Sequence, residues 1–275
     1  MEPLPWSKNQ LKRLSRHIRE GTEPASGLPS YDEVMLWYND LAEHVQTTIS
    51  GLDWAPLLGD RPYEVTSRPK TLDTLRQKLE RDPTLPLPSV QDVAGVRFEA
   101  EMTLDEQDAV VNAIAGRFSH RLDDSVRDLR RDAHSGYRAV HVWLKLEAKV
   151  EVQVRTHLQG DWANMYEVAA DVFGRGIRYD ELPDDELGSF IIRALRDLST
   201  ERIAQIENDR NEIASISLSL DETPVNARTR VQLRQVRRRV ELLQARNRTN
   251  EDELKNSLER LRQSLRDGQL GPGRV

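Results

Sequence analysis

Residues 140–154 read VHVWLKLEAKVEVQV, and their alternation constrains the fold of this chain more than any other stretch. Val140, Val142, Leu144 and Leu146 fall on one side of an extended chain, and Val150, Val152 and Val154 on one side of the next. That is the pattern of two half-buried strands joined as a hairpin. A two-residue loop would set Val142 beside Gln153 and mix the faces. A three-residue loop of Glu147, Ala148 and Lys149 keeps the valines together, placing His141 opposite Arg155, Trp143 opposite Gln153 and Lys145 opposite Glu151. The polar side then carries a carboxylate, an amide, an imidazole and a guanidinium, where a plain solvent face usually holds Lys, Thr and Ser. Two readings stay open: a salt-bridged exterior, or the floor of a site.

The 275 residues and 37% hydrophobic content suffice for one good core with helical appendages. There is no cysteine, which excludes disulfides, thiolate metal sites and a thiol nucleophile. The start MEPLPWSKNQ lacks the apolar core of a secretory signal, and no apolar run reaches membrane-spanning length, so the expectation is a cytoplasmic protein without a membrane partner. A net charge of −6 argues against indiscriminate nucleic-acid binding, although 40 basic side chains leave room for local patches.

Helix signals precede the hairpin. Ser7 with Gln10, and Ser30 with Glu33, read as capping boxes of two N-terminal helices, the first ending at Gly21 and the second near Ser50. YEVTS at 63–67 reads as a strand. A helix with Leu72, Leu75 and Leu79 on one face follows and stops near Pro83. The core of QDVAGVRFEAEM reads as another strand. Thr103 with Glu106 caps a helix whose inward stripe is Ala109, Val110, Ala113, Ile114 and Phe118. After the hairpin, a helix runs from about Thr156 to Phe173 and stops at Gly174. Beyond about residue 185 the strand signal vanishes. Leu233, Val236, Val240 and Leu243, then Leu254, Leu258, Leu261 and Leu265, predict two hairpinned helices packed on each other, on the domain or on another subunit. The fold class is α+β, a mixed β-sheet flanked by helices with a C-terminal helical tail. The expected organisation is N-terminal packing helices over 1–60, a core over 61–182 and a helical, oligomerising region over 183–275.

The motifs SRPK (67–70) with Lys78, DVAGVR (92–97), SGYRAVH (135–141) and VEVQVRT (150–156) occur in one order with compatible spacings. In this the chain resembles the synthetase domain of the RelA/SpoT family, in its small single-domain branch, over roughly residues 30–182. The resemblance implies a nucleotidyltransferase-like fold. It also implies Mg²⁺-dependent transfer of the ATP β,γ-pyrophosphoryl group to the 3′-hydroxyl of GDP or GTP, giving (p)ppGpp and AMP. One branch of the family instead modifies the 3′ end of tRNA.

Such transfer needs charge neutralisation on the triphosphate, a metal to bridge it and an oriented hydroxyl. Arg68, Lys70 and Lys78 bracket a helix start, where cationic side chains and free N–H groups favour phosphate. No Walker loop is present to do so. By resemblance Lys70 and Lys78 hold ATP phosphates, while Arg68 and Arg97 stack on adenine. Asp92 and Glu151 are the implied Mg²⁺ ligands, with Glu151 also able to accept the hydroxyl proton, and Gln153, Arg155 and His141 orient phosphates. Tyr137 is the implied guanine platform, flanked by Ser135, with Arg127 facing the acceptor phosphates. Each position also has a bland reading: a basic helix start, a turn residue at Asp92, a partner of Lys145 at Glu151, and a strand-start aromatic at Tyr137.

Two departures from the family pattern bear on the acceptor. Ala133 stands where many members carry Lys, with Arg130, Arg131 and His134 nearby, and Val168 stands where a His often follows Glu167 of the Trp162-Ala163 pattern. Trp162 itself reads as core. No hydrolase HD motif is found. Arg228, Arg230, Arg234, Arg237, Arg238 and Arg239 cluster in the tail, either as a solvated or inter-subunit face or as a grip on RNA. Three functions follow: an ATP:GDP/GTP 3′-pyrophosphokinase, a tRNA 3′-end pyrophosphokinase, and a catalytically inactive nucleotide-binding regulator.

Overall fold

Local signals account for most of the elements. The structure is a computed structural model that describes residues 3–68, 70–131, 134–222 and 229–267; Pro69, Ala133 and Arg228 lie outside them. Helices α1 (Lys8–Glu20) and α2 (Tyr31–Ser50) both open on complete capping boxes, from Ser7 with Gln10 and Ser30 with Glu33. Each reciprocal pair satisfies donors that a helix start leaves without partners. A short α3 (Ala55–Leu58) leads into β1 (Tyr63–Ser67), and α4 (Leu72–Arg81) follows, capped by Thr71. Next come β2 (Ala94–Ala100), α5 (Leu104–Arg117), a short α6 (Leu122–Ser125), β3 (Val126–Asp128), β4 (Val140–Lys145), β5 (Lys149–Thr156) and α7 (His157–Phe173). The five strands form one mixed sheet in the order β1-β2-β5-β4-β3. The tail comprises α8 (Glu186–Asp197), a π-helical turn (Leu198–Ile203), α9 (Ala204–Glu222) and α10 (Thr229–Arg266).

The chain divides into two compact units. The first holds residues 1–100, 109–128 and 140–154, and the second holds 101–108, 129–139 and 155–275. In the first, the apolar faces of β2, β4 and β5 are wholly buried: Val96, Phe98, Val140, Val142, Leu144, Val150, Val152 and Val154 are at most 1% exposed. Each such side chain contributes about 1.5–3 kcal/mol of gross burial energy. α1 is tied to α4 by Arg19 Nε donating to Leu79 O and Arg76 Nε donating to Ile18 O, both at 3.0 Å. In the second unit, Leu158, Trp162 and Met165 of α7 pack with Ile192 and Leu195 of α8 and with Leu254, Leu258 and Leu265 of α10. Trp162 is core, as expected, and its Nε1 donates to Leu195 O at 2.7 Å.

Three expectations need correction. The hairpin has a three-residue loop, but over 146–148, so His141 faces Gln153, Trp143 faces Glu151 and Lys145 faces Lys149. A slip of two residues leaves every side chain on its own face, so the valine pattern cannot detect it. The Leu146 N–H bond to Ala148 O, 3.1 Å, closes the turn and takes Leu146 out of the strand. Second, α5 buries Gln107, Val110, Val111, Ile114 and Ala115, whereas Ala109, Ala113 and Phe118 are only half-buried. The buried stripe is rotated toward a polar residue with a partner, a choice apolar periodicity does not see. Third, both leucine seams of the tail lie on the single helix α10, not on a hairpin of two.

Candidate active site

A loop hung from β5 sets the first carboxylate. Lys149 Nζ donates to Ser89 O at 3.0 Å and Gln91 Nε2 donates to Val150 O at 3.1 Å, which fixes residues 89–91 along β5 and delivers Asp92 beside it. Asp92 is held from both sides: Lys70 Nζ lies 2.6 Å from Oδ2 and Lys78 Nζ 2.7 Å from Oδ1. Lys70 follows β1, whose path continues as Arg68 N–H donates to Gly95 O at 2.7 Å. A Cβ at Gly95 would come within 3.0 Å of Arg68 O, so glycine at this point of DVAGVR permits the approach. Arg68 is exposed, and Arg97 sits on β2 on the face shared with Gly95 and Glu99.

The hairpin supplies the second carboxylate. Glu151 is 8% exposed, and its oxygens are met by Trp143 Nε1 at 3.2 Å, Gln153 Nε2 at 2.9 Å and His141 Nδ1 at 3.3 Å. Arg127 on β3 pairs with His141 in register and lays its guanidinium over the Trp143 ring, 4.6 Å from the centroid. Trp143 is a site residue that sequence reasoning missed. Once the register is correct, a tryptophan directly opposite a carboxylate is the signal that finds it.

Both carboxylates remain ionised. Burial pushes the Asp92 carboxyl up, but the charges and hydrogen bonds of Lys70 and Lys78 outweigh it, and the group titrates below the ordinary carboxylate range. Burial likewise raises Glu151, while the His141 and Gln153 contacts more than offset this; the nearby Asp92 charge opposes them, so the two carboxylates feel one another. A carboxylate with a depressed folded pKa stabilises the fold above its unfolded pKa and loses that contribution as pH falls through the folded value. The urea midpoint should therefore hold from neutral pH to about 5 and fall below that range, with Asp92→Asn flattening the fall. A midpoint that drops already between pH 7 and 6 would contradict this assignment.

The second unit holds the remaining candidates. Tyr137 Oη accepts from Arg155 Nη2 at 2.8 Å, and that guanidinium lies 5.0 Å from the Tyr137 ring centroid, so Arg155 braces one face of the aromatic ring. Ser135 is buried in the left-handed region (φ 55) with Oγ directed at Arg178 O, 3.4 Å. Gly136 (φ 81) is wedged so tightly that a Cβ would meet Trp162 Cζ2 at 2.9 Å and Arg196 Cα at 3.0 Å. Glu167 of the Trp162 motif pairs with Arg178.

The first unit therefore brings together Lys70, Lys78, Asp92, His141, Glu151 and Gln153. Among the described residues no group of three or more His, Asp or Glu is placed to cage a metal. A pair of hard, ionised carboxylates beside two ammonium groups nevertheless fits an ion that takes one or two protein carboxylates and completes its shell with water and phosphate oxygens.

The region described as found in RelA/SpoT proteins matches residues 67–173, the span carrying every one of these side chains. Over 195 residues, 70% of either chain, the sequence is 47% identical to an uncharacterized protein of Mycobacterium tuberculosis and to one of Mycobacterium bovis. This chain belongs to the RelA/SpoT family. Its fold is similar to that of the small alarmone synthetase 1 from Bacillus subtilis, with a TM-score of 0.52 at 21% identity over 69% of this chain and 98% of that one. The same synthetase bound to its product pppGpp gives 0.51, also at 21% identity, with the same coverage. The small alarmone synthetase 2 gives 0.50 at 20% identity over 67% and 98%. At these identities the likeness is one of fold. The RelA/SpoT region and the sheet with its flanking helices agree with the α+β reading of the sequence.

Proposed function

We propose that this RelA/SpoT-family protein is an ATP:GDP/GTP 3′-pyrophosphokinase. The observation that carries the reading is the carboxylate pair Asp92 and Glu151, close enough to sense each other's charge, beside Lys70 and Lys78. In this reading Mg²⁺ is held by Asp92 and Glu151 and supplies charge neutralisation on the triphosphate when bound. Lys70 and Lys78, which turn to Asp92 here, carry phosphate contacts in the donor complex, with Arg68 and Arg97 against adenine. Glu151 contributes more as a fixed negative charge than as a base, because a carboxylate held below its ordinary range takes a proton weakly. His141 and Gln153 keep it ionised and oriented. Tyr137, braced by Arg155, is the acceptor-base platform in this reading, with Ser135 and Arg127 as the further acceptor-binding groups.

The test is transfer of label from γ-labelled ATP to GDP, GTP or deacylated tRNA by the purified protein. Label on a guanine nucleotide supports the reading, and label on tRNA alone replaces it. The tRNA alternative draws on Arg234, Arg237, Arg238 and Arg239, all exposed on α10. Transfer to no acceptor, with nucleotide still bound, leaves a regulator.

Donor and acceptor separate by mutation. Lys70→Ala or Lys78→Ala should weaken ATP binding whatever the acceptor. Tyr137→Ala should leave it intact and raise the KM for the guanine nucleotide, with a loss of about 1–3 kcal/mol, the scale of one base stacked on an aromatic ring. Poor ATP binding by Tyr137→Ala would reverse the two assignments.

A further inference from the structure

Glu207 lies on α9, far along the tail from every motif, yet it is 2% exposed and forms an ion pair with Arg138, whose own side chain is 5% exposed: Arg138 Nη1 is 2.7 Å from Glu207 Oε2. Arg138 is the residue after Tyr137. A buried guanidinium is tolerated only where partners satisfy its several donors, and these partners are specific. Besides Glu207, Nη1 reaches Ser199 O at 3.4 Å and Nε donates to Arg130 O at 3.3 Å. Ser199 belongs to the π-helical turn, where its carbonyl also accepts the N–H of Ala204, five residues on. A π turn interrupts the regular i to i−4 ladder, and such single turns commonly mark functional positions.

The other oxygen of Glu207 accepts from Thr156 Oγ1 at 2.5 Å. Thr156 ends β5 and caps α7, sharing a capping box with Gln159, and Gln159 Oε1 also accepts from Gln107 Nε2 at 2.9 Å. Gln107 in turn accepts from Arg130 Nη1 at 3.3 Å, and Arg130 pairs with Asp108 at 2.7 Å. The segment around Tyr137 is thus held at three successive residues: Gly136 against Trp162 and Arg196, the Tyr137 hydroxyl by Arg155, and Arg138 by Glu207 and Ser199. Arg196, Ser199 and Glu207 all come from the tail.

We infer that the tail is a positioning element for the acceptor platform, with Glu207, acting through Arg138, as the residue that fixes the place of Tyr137. Glu207 touches no reacting atom in this scheme. The acceptor half of the inference rests on the reading of Tyr137 given above; the holding of the 135–139 segment by Glu207 does not.

The test uses the full chain. Glu207→Gln keeps the shape and an oxygen for Thr156 but removes the charge facing Arg138. Its expected signature is a KM for GDP or GTP raised about ten- to a hundredfold, the scale of a misplaced positioning group, at unchanged affinity for a non-hydrolysable ATP analogue. Hydrogen exchange should quicken over 135–139 and stay constant over 72–81. Glu207→Asp, which keeps the charge on a shorter stem, should recover part of the KM. If Glu207→Gln does not fold by circular dichroism, the paired Arg138→Met and Glu207→Met variant removes both buried charges and takes its place. Unchanged exchange over 135–139 in a folded variant overturns the inference, as does a fall in donor affinity matching that for the acceptor. Should the wild type transfer to no guanine nucleotide, the Tyr137 reading fails separately, and the exchange result alone decides whether Glu207 holds this segment.

Discussion

Glu151→Gln and Asp92→Asn should each lower pyrophosphoryl transfer by about a hundredfold or more, the cost of removing one principal contact to developing charge, while the circular dichroism spectrum stays that of the wild type. Both changes are nearly isosteric. A glutamine at 151 keeps an oxygen for Trp143 Nε1 and stays opposite it in the register, so the hairpin has no reason to move. What it loses is the charge that would hold a divalent cation beside Asp92. Asp92→Asn differs in one informative respect. Lys70 and Lys78 lose their shared counter-charge, and with side chains only 16% and 28% exposed they gain all the more from an anionic ligand. Binding of ATP without metal should therefore be as tight or tighter in Asp92→Asn, although transfer is lost. Near-normal turnover in either folded variant would remove the site from this face of the sheet.

The contrast between these two carboxylates and Glu207 shows what the sequence could reveal. Glu151 is legible as a polar residue alternating with the valines of β5, whereas Asp92 lies in the loop before β2 and is reached only through the motif resemblance. The helix starts were equally legible, since capping boxes such as Ser7 with Gln10 are short-range chemistry written in four residues. Register was not, because a two-residue slip keeps every valine on its face and changes only which polar side chains meet; the partnership of Trp143 with Glu151 was lost for that reason alone. Glu207 is harder still. A glutamate on a helix is ordinary, and nothing within ten residues of it indicates that Arg138, 69 positions earlier, needs a buried counter-charge. The leucine seams of α10 were visible as seams. A helix interrupted by no proline or glycine gives no reason to fold back, and the two-helix expectation overlooked that TRVQLRQVRRRVELLQARNRTNEDELKNSLERLRQSLR contains neither.

The second seam leads to the other large expected effect. Leu258 is 4% exposed in the cluster that α10 forms with α7 and α8, alongside Leu254 and Leu265. Leu258→Asp removes a buried isobutyl group and places a carboxyl among apolar neighbours, so it should cost at least ~4 kcal/mol. Against a total stability of about 5–15 kcal/mol for a domain, that loss should appear as a large fall in melting temperature. Lowered mass in light scattering by this variant would therefore report unfolding as readily as lost assembly, and it cannot serve as the probe of self-association. Leu242 can. It lies on the same helix but is 67% exposed, so Leu242→Asp should change stability by no more than about 0.5 kcal/mol. If α10 joins subunits through its exposed side, Leu242→Asp lowers the mass with the melting temperature unchanged. If the helix serves only its own chain, the mass stays constant in Leu242→Asp while Leu258→Asp still melts early. A Leu258→Asp variant as stable as the wild type would show that α10 does not pack on α7 as described.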